Sequence, residues 1–243
     1  QTEMFEYYDI TDPSQYDPKY NMSDGEDIFY GYYFPYEGRS RTWNVLNEIT
    51  DSGAGGTALA TGYKTYNQHI GQNSTQIGTA QVYDEGAWQT VPVCQEVESL
   101  TELALRMGKS AAVMSTEETW GATPSAFSAH MYNRYEYNDI WADQDKLRNQ
   151  GVVFVDHDRY LNQFTAAEWE DAKPYYKAAL EQIAQDPDGF FMMYEEAYID
   201  KECHNNRPDL SYMTMVRFNQ AVAMFMEFAM YNPETLVVIT ADH

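Results

Sequence analysis

The sequence has few basic residues and no long apolar run. Its 243 residues carry 15 Lys and Arg against 38 Asp and Glu, a net charge of −23, and the pI is near 4.3. Nucleic-acid phosphates and anionic membrane surfaces attract basic patches, so this balance argues against either as the main partner. A membrane span needs roughly 20 apolar residues, and the most apolar stretch, 221–231, contains Glu227. We therefore expect no membrane span, and the first residues show no signal-peptide pattern.

Cysteine is also scarce. Cys94 and Cys203 lie far apart and in no metal-binding spacing such as CxxC. Two free, buried thiols would fit this pattern, and so would a single disulfide. The cysteines therefore leave the cellular compartment open.

The chain is long enough and apolar enough to fold around a sizeable core. Hydrophobic residues make up 44% of it and aromatic residues 15%. Short apolar runs alternate with helical patterns, and we predict buried strands at 111–114, 152–155, 190–194 and 236–240. This alternation is typical of an α/β fold, here a three-layer sandwich with a mostly parallel central sheet and helices on both faces.

Two helices are predicted between and after these strands. Thr165 and Glu168 have the spacing of a capping box, and Pro174 should end or kink the helix that they open. A longer helix is expected to start with Asp209 as its N-cap and to end before Pro233. Its apolar stripe repeats at helical spacing and indicates core: Phe218, Ala221, Val222, Phe225, Phe228 and Ala229.

The chain ends at Asp242 and His243, directly after a predicted strand. Ligands of open α/β sheets bind just beyond the carboxyl ends of strands, and a native protein rarely stops there. We therefore expect residues 1–243 to form a single domain that is truncated at this end.

Small residues crowd the segment 50–65 around Ser52. Such residues allow a backbone or a ligand to approach closely. If a helix begins at about Ser52, its hydroxyl lies beside unpaired N–H groups and the positive end of the helix dipole, where phosphate binds well. The alternative is that Ser52 merely caps a helix that tolerates glycine.

Two Asp/His pairs could bind metal. Asp200 and His204 are four residues apart, so on a helix they share one face. Asp242 and His243 are adjacent where a strand ends. Carboxylate oxygen and imidazole nitrogen both bind zinc, although such a pair can equally be an ordinary hydrogen-bonded pair.

Four blocks together resemble the motifs of alkaline phosphatases, in the family's order and over about a third of the chain. The first is the nucleophile segment, with Thr50-Asp51-Ser52 and Thr61-Gly62. The others are 115–134, which includes Ala122-Thr123-Pro124, then 190–204, and finally Thr240-Ala241-Asp242-His243. The combination is specific, whereas each block alone would not be.

The resemblance implies a site with two Zn²⁺ ions beside one Mg²⁺ ion. Ser52 would be the nucleophile and form a phosphoserine that water then hydrolyses. Asp242 and His243 would bind the zinc that lowers the pKa of the serine. Asp200 and His204 would bind the zinc that steadies the leaving oxygen.

It also implies how phosphate and magnesium are held. Arg134 would grip two phosphate oxygens, and Asp51 would orient its guanidinium. Thr123 and Glu195 would be magnesium ligands. Many family members carry Asp or His two positions before this threonine, where this chain has Gly121. That difference weakens the case for magnesium but leaves the zinc ligands untouched.

Other features depart from the family pattern. The usual alanine after the serine is Gly53. An aspartate expected upstream of the serine and a histidine expected beyond residue 243 are both missing, which agrees with truncation at each end. The implied function is hydrolysis of small phosphate monoesters by a periplasmic or extracellular enzyme, and the family's common dimeric state leaves room for a homodimer. The alternatives are a related hydrolase of phosphodiesters or sulfates, and a non-catalytic acidic protein that binds cations.

Overall fold

The computed structural model describes residues 8–9, 30–31, 38–84, 86–156 and 166–243. The chain divides into two compact units. The first unit comprises Gln1–Ser40, Asn162–Lys173 and Tyr198–Ile239, and the second comprises Arg41–Leu161, Pro174–Ala197 and Thr240–His243. The expectation of one catalytic domain stays a prediction.

A parallel three-stranded sheet forms the centre of the second unit. Its order is β6-β5-β7, with β5 at Ser110–Ser115, β6 at Val153–Asp156 and β7 at Phe190–Glu195. Three of the predicted strands are therefore confirmed to within a residue or two. The apolar side chains of β5 are fully buried, as expected for a strand with a neighbour on each side.

The fourth predicted strand, 236–240, is wrong. These residues form no strand in the described part of the chain, and Leu236 and Val238 are 85% and 73% exposed. An apolar run becomes a strand only where a neighbouring strand can pair with it, and no described strand pairs with this run.

Helices and a long hairpin complete the second unit. The helices are α1 (Ser52–Thr61), α2 (Leu100–Arg106), α3 (Ala122–Ala126) and α4 (Tyr137–Arg148). The antiparallel hairpin consists of β3 (Gln72–Asp84) and β4 (Ala87–Glu96). The helices and the parallel sheet of the second unit pack around a shared core: Ala60, Ala104, Ala111, Val113, Phe127, Leu147, Val152 and Met193.

Helix α5 (Ala166–Ile183) continues through Pro174. Of the two predicted effects of this proline, the end of the helix is therefore wrong, whereas a kink stays a prediction. Proline removes one backbone hydrogen bond, and the buried side chains of Trp169 and Tyr176 on either side anchor the helix by tertiary packing. Thr165 of the expected capping box lies outside the described residues.

The first unit contains α6 (Tyr198–His204), α7 (Pro208–Tyr231) and a short antiparallel pair, β1 (Tyr8–Asp9) and β2 (Tyr30–Gly31). The N-cap of α7 is Arg207 rather than Asp209, because Pro208 takes a first-turn position that suits its fixed φ. Asp209 instead forms an ion pair of 2.7 Å with Arg207. Ala221, Val222 and Phe225 of the predicted stripe are buried.

Both cysteines are free thiols, so neither is in a disulfide. Cys94 is buried, but Cys203 is exposed, which corrects the expectation that both are buried. Within the described residues, no helix has the length and apolar character needed to cross a membrane.

A partly buried ion pair joins α2 to the loop after α3. Nε2 of His130 lies 2.9 Å from Oε1 of Glu102, and its Nδ1 lies 2.8 Å from the carbonyl oxygen of Gly71. Both partners only accept hydrogen bonds, so the doubly protonated imidazolium satisfies both at once. Burial by itself would lower the pKa of His130, but the hydrogen bond and charge of Glu102 outweigh it and raise the pKa to about 9.

The free energy of unfolding should therefore fall as the pH rises from about 6.5 to about 9. An unfolded histidine titrates near 6.5, so this stabilisation is complete below that pH and is lost as His130 deprotonates in the folded state. The pKa difference corresponds to about 3 kcal/mol. Urea unfolding at both pH values should show a larger loss for the wild type than for His130→Gln; equal losses would contradict the assignment.

Candidate active site

The turn that opens α1 places Ser52 at the first helical position. Asp51 is the N-cap, and its Oδ1 accepts hydrogen bonds from the N–H groups of Ala54 at 3.1 Å and Gln68 at 3.0 Å. Since Asp51 caps the helix, the Ser52 hydroxyl does not serve as the cap. It hydrogen-bonds the carboxylate of Asp242 instead.

Glycine in the first turn of α1 lets the chain approach the helix backbone closely, as the small residues predicted. A Cβ at Gly55 would lie 2.3 Å from the carbonyl oxygen of Asp242, too close for any real side chain. A Cβ at Gly56 would lie 3.2 Å from Cα of Thr123. The glycines therefore bring α1, α3 and the segment at Asp242 into backbone contact.

Arg134 and Asp51 form the expected pair. Nη1 of Arg134 donates to Oδ2 of Asp51 at 3.2 Å, and the arginine side chain is 25% exposed. The arginine backbone is held in place too, because its N–H donates to the carbonyl oxygen of Gln68 at 2.7 Å. Gln68 has a φ of 68°, so its turn, which the sequence did not reveal, aligns both Asp51 and Arg134.

Asp242 accepts hydrogen bonds from several sides. Thr123 Oγ1 donates to its Oδ2 at 3.2 Å, and Nδ1 of His243 lies 3.0 Å from its Oδ1. Burial raises the pKa of Asp242, but the hydrogen bond and charge of His243 and the hydrogen bond from Ser52 outweigh burial and hold the pKa below its usual value. Asp242 therefore stays ionised beside the Ser52 hydroxyl.

Glu195 lies at the carboxyl end of β7, next to that of β5. Ser115 donates to its Oε2 at 2.7 Å, and Thr123 also hydrogen-bonds it. Its pKa rises to about 8, first because of burial and then because of the negative charge of Glu117. The negative charge of Asp242 raises the pKa of Glu195 further. A positive charge placed near these strand ends would therefore stabilise the ionised carboxylates.

Asp200 and His204 lie on α6 in the first unit and share one face, as their spacing predicted. Nε2 of His204 lies 3.4 Å from Oδ2 of Asp200, and both side chains are exposed. The other predicted site residues all lie in the second unit. They form two hydrogen-bonded groups there, Arg134 with Asp51, and Ser52 with Thr123, Glu195, Asp242 and His243.

The described residues contain no ready-made group of three or more His, Cys, Asp and Glu side chains able to hold a metal ion. Each candidate metal position instead offers two such side chains or fewer, supplemented by hydroxyl oxygens. Glu117 belongs to this site but was not predicted, because its spacing matches no family motif.

Comparison with known proteins gives one consistent result. The family model for alkaline phosphatase matches residues 23–161 and 172–243. Alkaline phosphatases 4 and 3 of Bacillus subtilis are 29% and 28% identical to the chain, each over 80% of its length and 49% of their own. The chain thus spans about half the length of these curated relatives.

Solved structures agree on the fold. The cold-active alkaline phosphatase of Shewanella sp. has a TM-score of 0.67 at 22% identity, covering 84% of this chain and 57% of its own. The alkaline phosphatase of the Antarctic bacterium TAB5 has a TM-score of 0.66 at 22% identity, and the match covers 84% of this chain and 67% of the TAB5 enzyme. A variant of the TAB5 enzyme with Mg bound in its M3 site has a TM-score of 0.65 at 21% identity, and the match covers 84% of this chain and 66% of the variant.

Proposed function

The chain belongs to the alkaline phosphatase family, and on that premise we propose that it hydrolyses phosphate monoesters through a phosphoserine at Ser52. The observation that carries the proposal is the position of Ser52. It begins α1, is relieved of capping by Asp51, and is hydrogen-bonded to the ionised Asp242. A serine hydroxyl with an acceptor beside it, at the positive end of a helix, is suited to attack a bound phosphate.

The residues of the second unit would bind and orient the substrate. The guanidinium of Arg134, held by Asp51, would donate two parallel hydrogen bonds to phosphate oxygens. The N–H groups at the start of α1 would add partial positive charge. Phosphate would then lie between Arg134 and the Ser52 hydroxyl, within reach of the nucleophile.

The reaction would take place in two displacements. In the first, the bond from Ser52 Oγ to phosphorus forms and the ester P–O bond breaks, and the proton lost by the serine passes to the leaving alkoxide, which departs as the alcohol. In the second, a water oxygen attacks phosphorus, the bond to Ser52 breaks, and the serine regains a proton as inorganic phosphate leaves. Asp242, which accepts the hydrogen bond of the Ser52 hydroxyl, orients that oxygen for attack.

The donor chemistry fits the metals of the family. Asp242 with His243, and Asp200 with His204, each provide one carboxylate and one imidazole for a Zn²⁺ ion. Thr123 and Glu195 provide oxygen ligands for Mg²⁺. When bound, these ions would lower the pKa of the serine and of the attacking water and would balance the charge of phosphate.

Three further parts of the proposal concern the whole protein. We infer the family's three-layer arrangement, with helices on both faces of the sheet. A periplasmic or extracellular location and a homodimer accord with family membership.

Phosphate release from an aryl phosphate monoester tests the proposal. At alkaline pH with Zn²⁺ and Mg²⁺, the chain, with whatever native sequence flanks it, should release phosphate. A chelator should abolish the activity and added zinc should restore it. Aryl sulfate and a bis-aryl phosphodiester serve as comparison substrates. Faster turnover of either one would favour that ester class, and full activity in chelator would contradict the proposed metal ligands.

A further inference from the structure

The missing side chain at Gly121 leaves a space that Glu117 fills. A Cβ built at Gly121 would lie 2.3 Å from Oε1 and 2.9 Å from Cδ of Glu117. Distances this short do not occur for real Cβ atoms, so the carboxylate occupies the volume of the side chain that Gly121 lacks. The φ of Gly121 is −56°, which any residue adopts. Glycine at this position therefore leaves room for the Glu117 carboxylate, and its backbone conformation is one that any residue adopts.

Glu117 is also tied to the proposed magnesium ligands. Its side chain is buried at 8% exposure. Its N–H donates to Oγ of Ser115 at 3.2 Å, and the same hydroxyl donates to Glu195 at 2.7 Å. Gly121, against which the carboxylate lies, is two positions before Thr123. The carboxylate thus lies against the turn that presents Thr123, and the Glu117 backbone binds the same serine hydroxyl that binds Glu195.

We infer that Glu117 provides the magnesium site of Thr123 and Glu195 with the carboxylate that a residue at 121 would otherwise provide. This assignment rests on the proposed function. Two ionised carboxylates near each other, that of Glu117 buried and that of Glu195 partly buried, repel each other unless a cation lies between them or one of them takes up a proton. Mg²⁺ prefers carboxylate and hydroxyl oxygens and retains several waters, so two carboxylates and a threonine are a sufficient protein contribution. Glycine at position 121 therefore does not argue against magnesium, because Glu117 supplies the carboxylate in its place.

Magnesium affinity measured by calorimetry on zinc-loaded protein tests the assignment without turnover. Glu117→Gln keeps the shape of the side chain and removes its charge, so Mg²⁺ affinity should fall about 10- to 100-fold. Glu118→Gln removes the same charge one residue away and should leave the affinity within about twofold. Equal affinity in wild type and Glu117→Gln would overturn the assignment, as would a wild type that binds no Mg²⁺.

A reciprocal exchange makes the test independent of any single variant. Gly121→Asp should weaken Mg²⁺ binding when Glu117 is present, because both side chains need the same space. Glu117→Ala should weaken it as well, and the double variant should recover most of the wild-type affinity. If the losses of Mg²⁺ affinity in the two single variants simply add up in the double variant, the two side chains do not substitute for each other and the assignment is contradicted. Mg²⁺ binding that depends on Glu117 in a protein without phosphatase activity would uphold the assignment and refute the proposed function.

Discussion

Replacing Ser52 by alanine is expected to lower kcat for phosphate release by on the order of 10⁴- to 10⁶-fold, as is typical when a catalytic nucleophile is removed. No other hydroxyl on α1 can take its place: Thr57 lies within the helix and donates to the carbonyl oxygen of His69, and Thr61 donates to that of Thr57. Since Asp51 provides the cap, the helix start does not depend on the serine. Steady-state kinetics with an aryl phosphate monoester measures the effect.

The control for this variant is Thr61→Ala, which removes a hydroxyl from the opposite end of the same helix. Its kcat should stay within a few-fold of wild type. Urea unfolding should show that Ser52→Ala is folded, and it should still bind inorganic phosphate through Arg134. Phosphate release by Ser52→Ala at a rate near that of the control would rule out the serine as nucleophile.

Replacing Gly55 by alanine is expected to have the second-largest effect. The new Cβ would have to displace the backbone carbonyl of Asp242, which it would approach to 2.3 Å. Overpacking of this kind costs about 1–3 kcal/mol of stability, and a displacement near 1 Å at a reacting group can lower the rate about 10²-fold. Both the free energy of unfolding and kcat should therefore fall.

Gly53→Ala is the matched control, because it makes the same change two residues earlier. There the new Cβ would lie 3.1 Å from the carbonyl oxygen of His69, a contact that small shifts can relieve. Alanine is also favoured over glycine within a helix by up to about 1 kcal/mol. Gly53→Ala should thus be close to wild type in stability and rate. If Gly55→Ala behaves in the same way, close approach of Asp242 is not needed for activity.

The sequence predicts the parts of this fold that depend on local pattern. The strands at 110–115, 153–156 and 190–195 are apolar runs buried in the sheet, and α1 begins at Ser52, directly after the N-cap Asp51. The run 236–240 has the same local character as the confirmed strands, yet no described strand pairs with it. Pairing depends on distant parts of the chain, and no local pattern contains that information.

The same limit applies to the site. Local pattern suggested Ser52 and the two Asp/His pairs as candidates, and the family resemblance implied Asp51, Arg134, Thr123 and Glu195. It could not identify Glu117, because its position matters only through the empty volume at Gly121. Nor could it identify the turn at Gln68, whose backbone groups bind Asp51 and Arg134. Both residues act through space that only the folded backbone defines.

The hydrogen bonds of the site also determine when it can form during folding. The bond between Thr123 and Asp242 joins residues 119 positions apart, and the bond between Arg134 and Asp51 joins residues 83 positions apart. Closing loops of this length costs chain entropy that local helices do not have to overcome. The helices and the turn at Ser52 can therefore form early, whereas the complete site appears only after the most distant segments have docked. Any state that forms before these segments dock would contain helical structure without the complete set of site contacts.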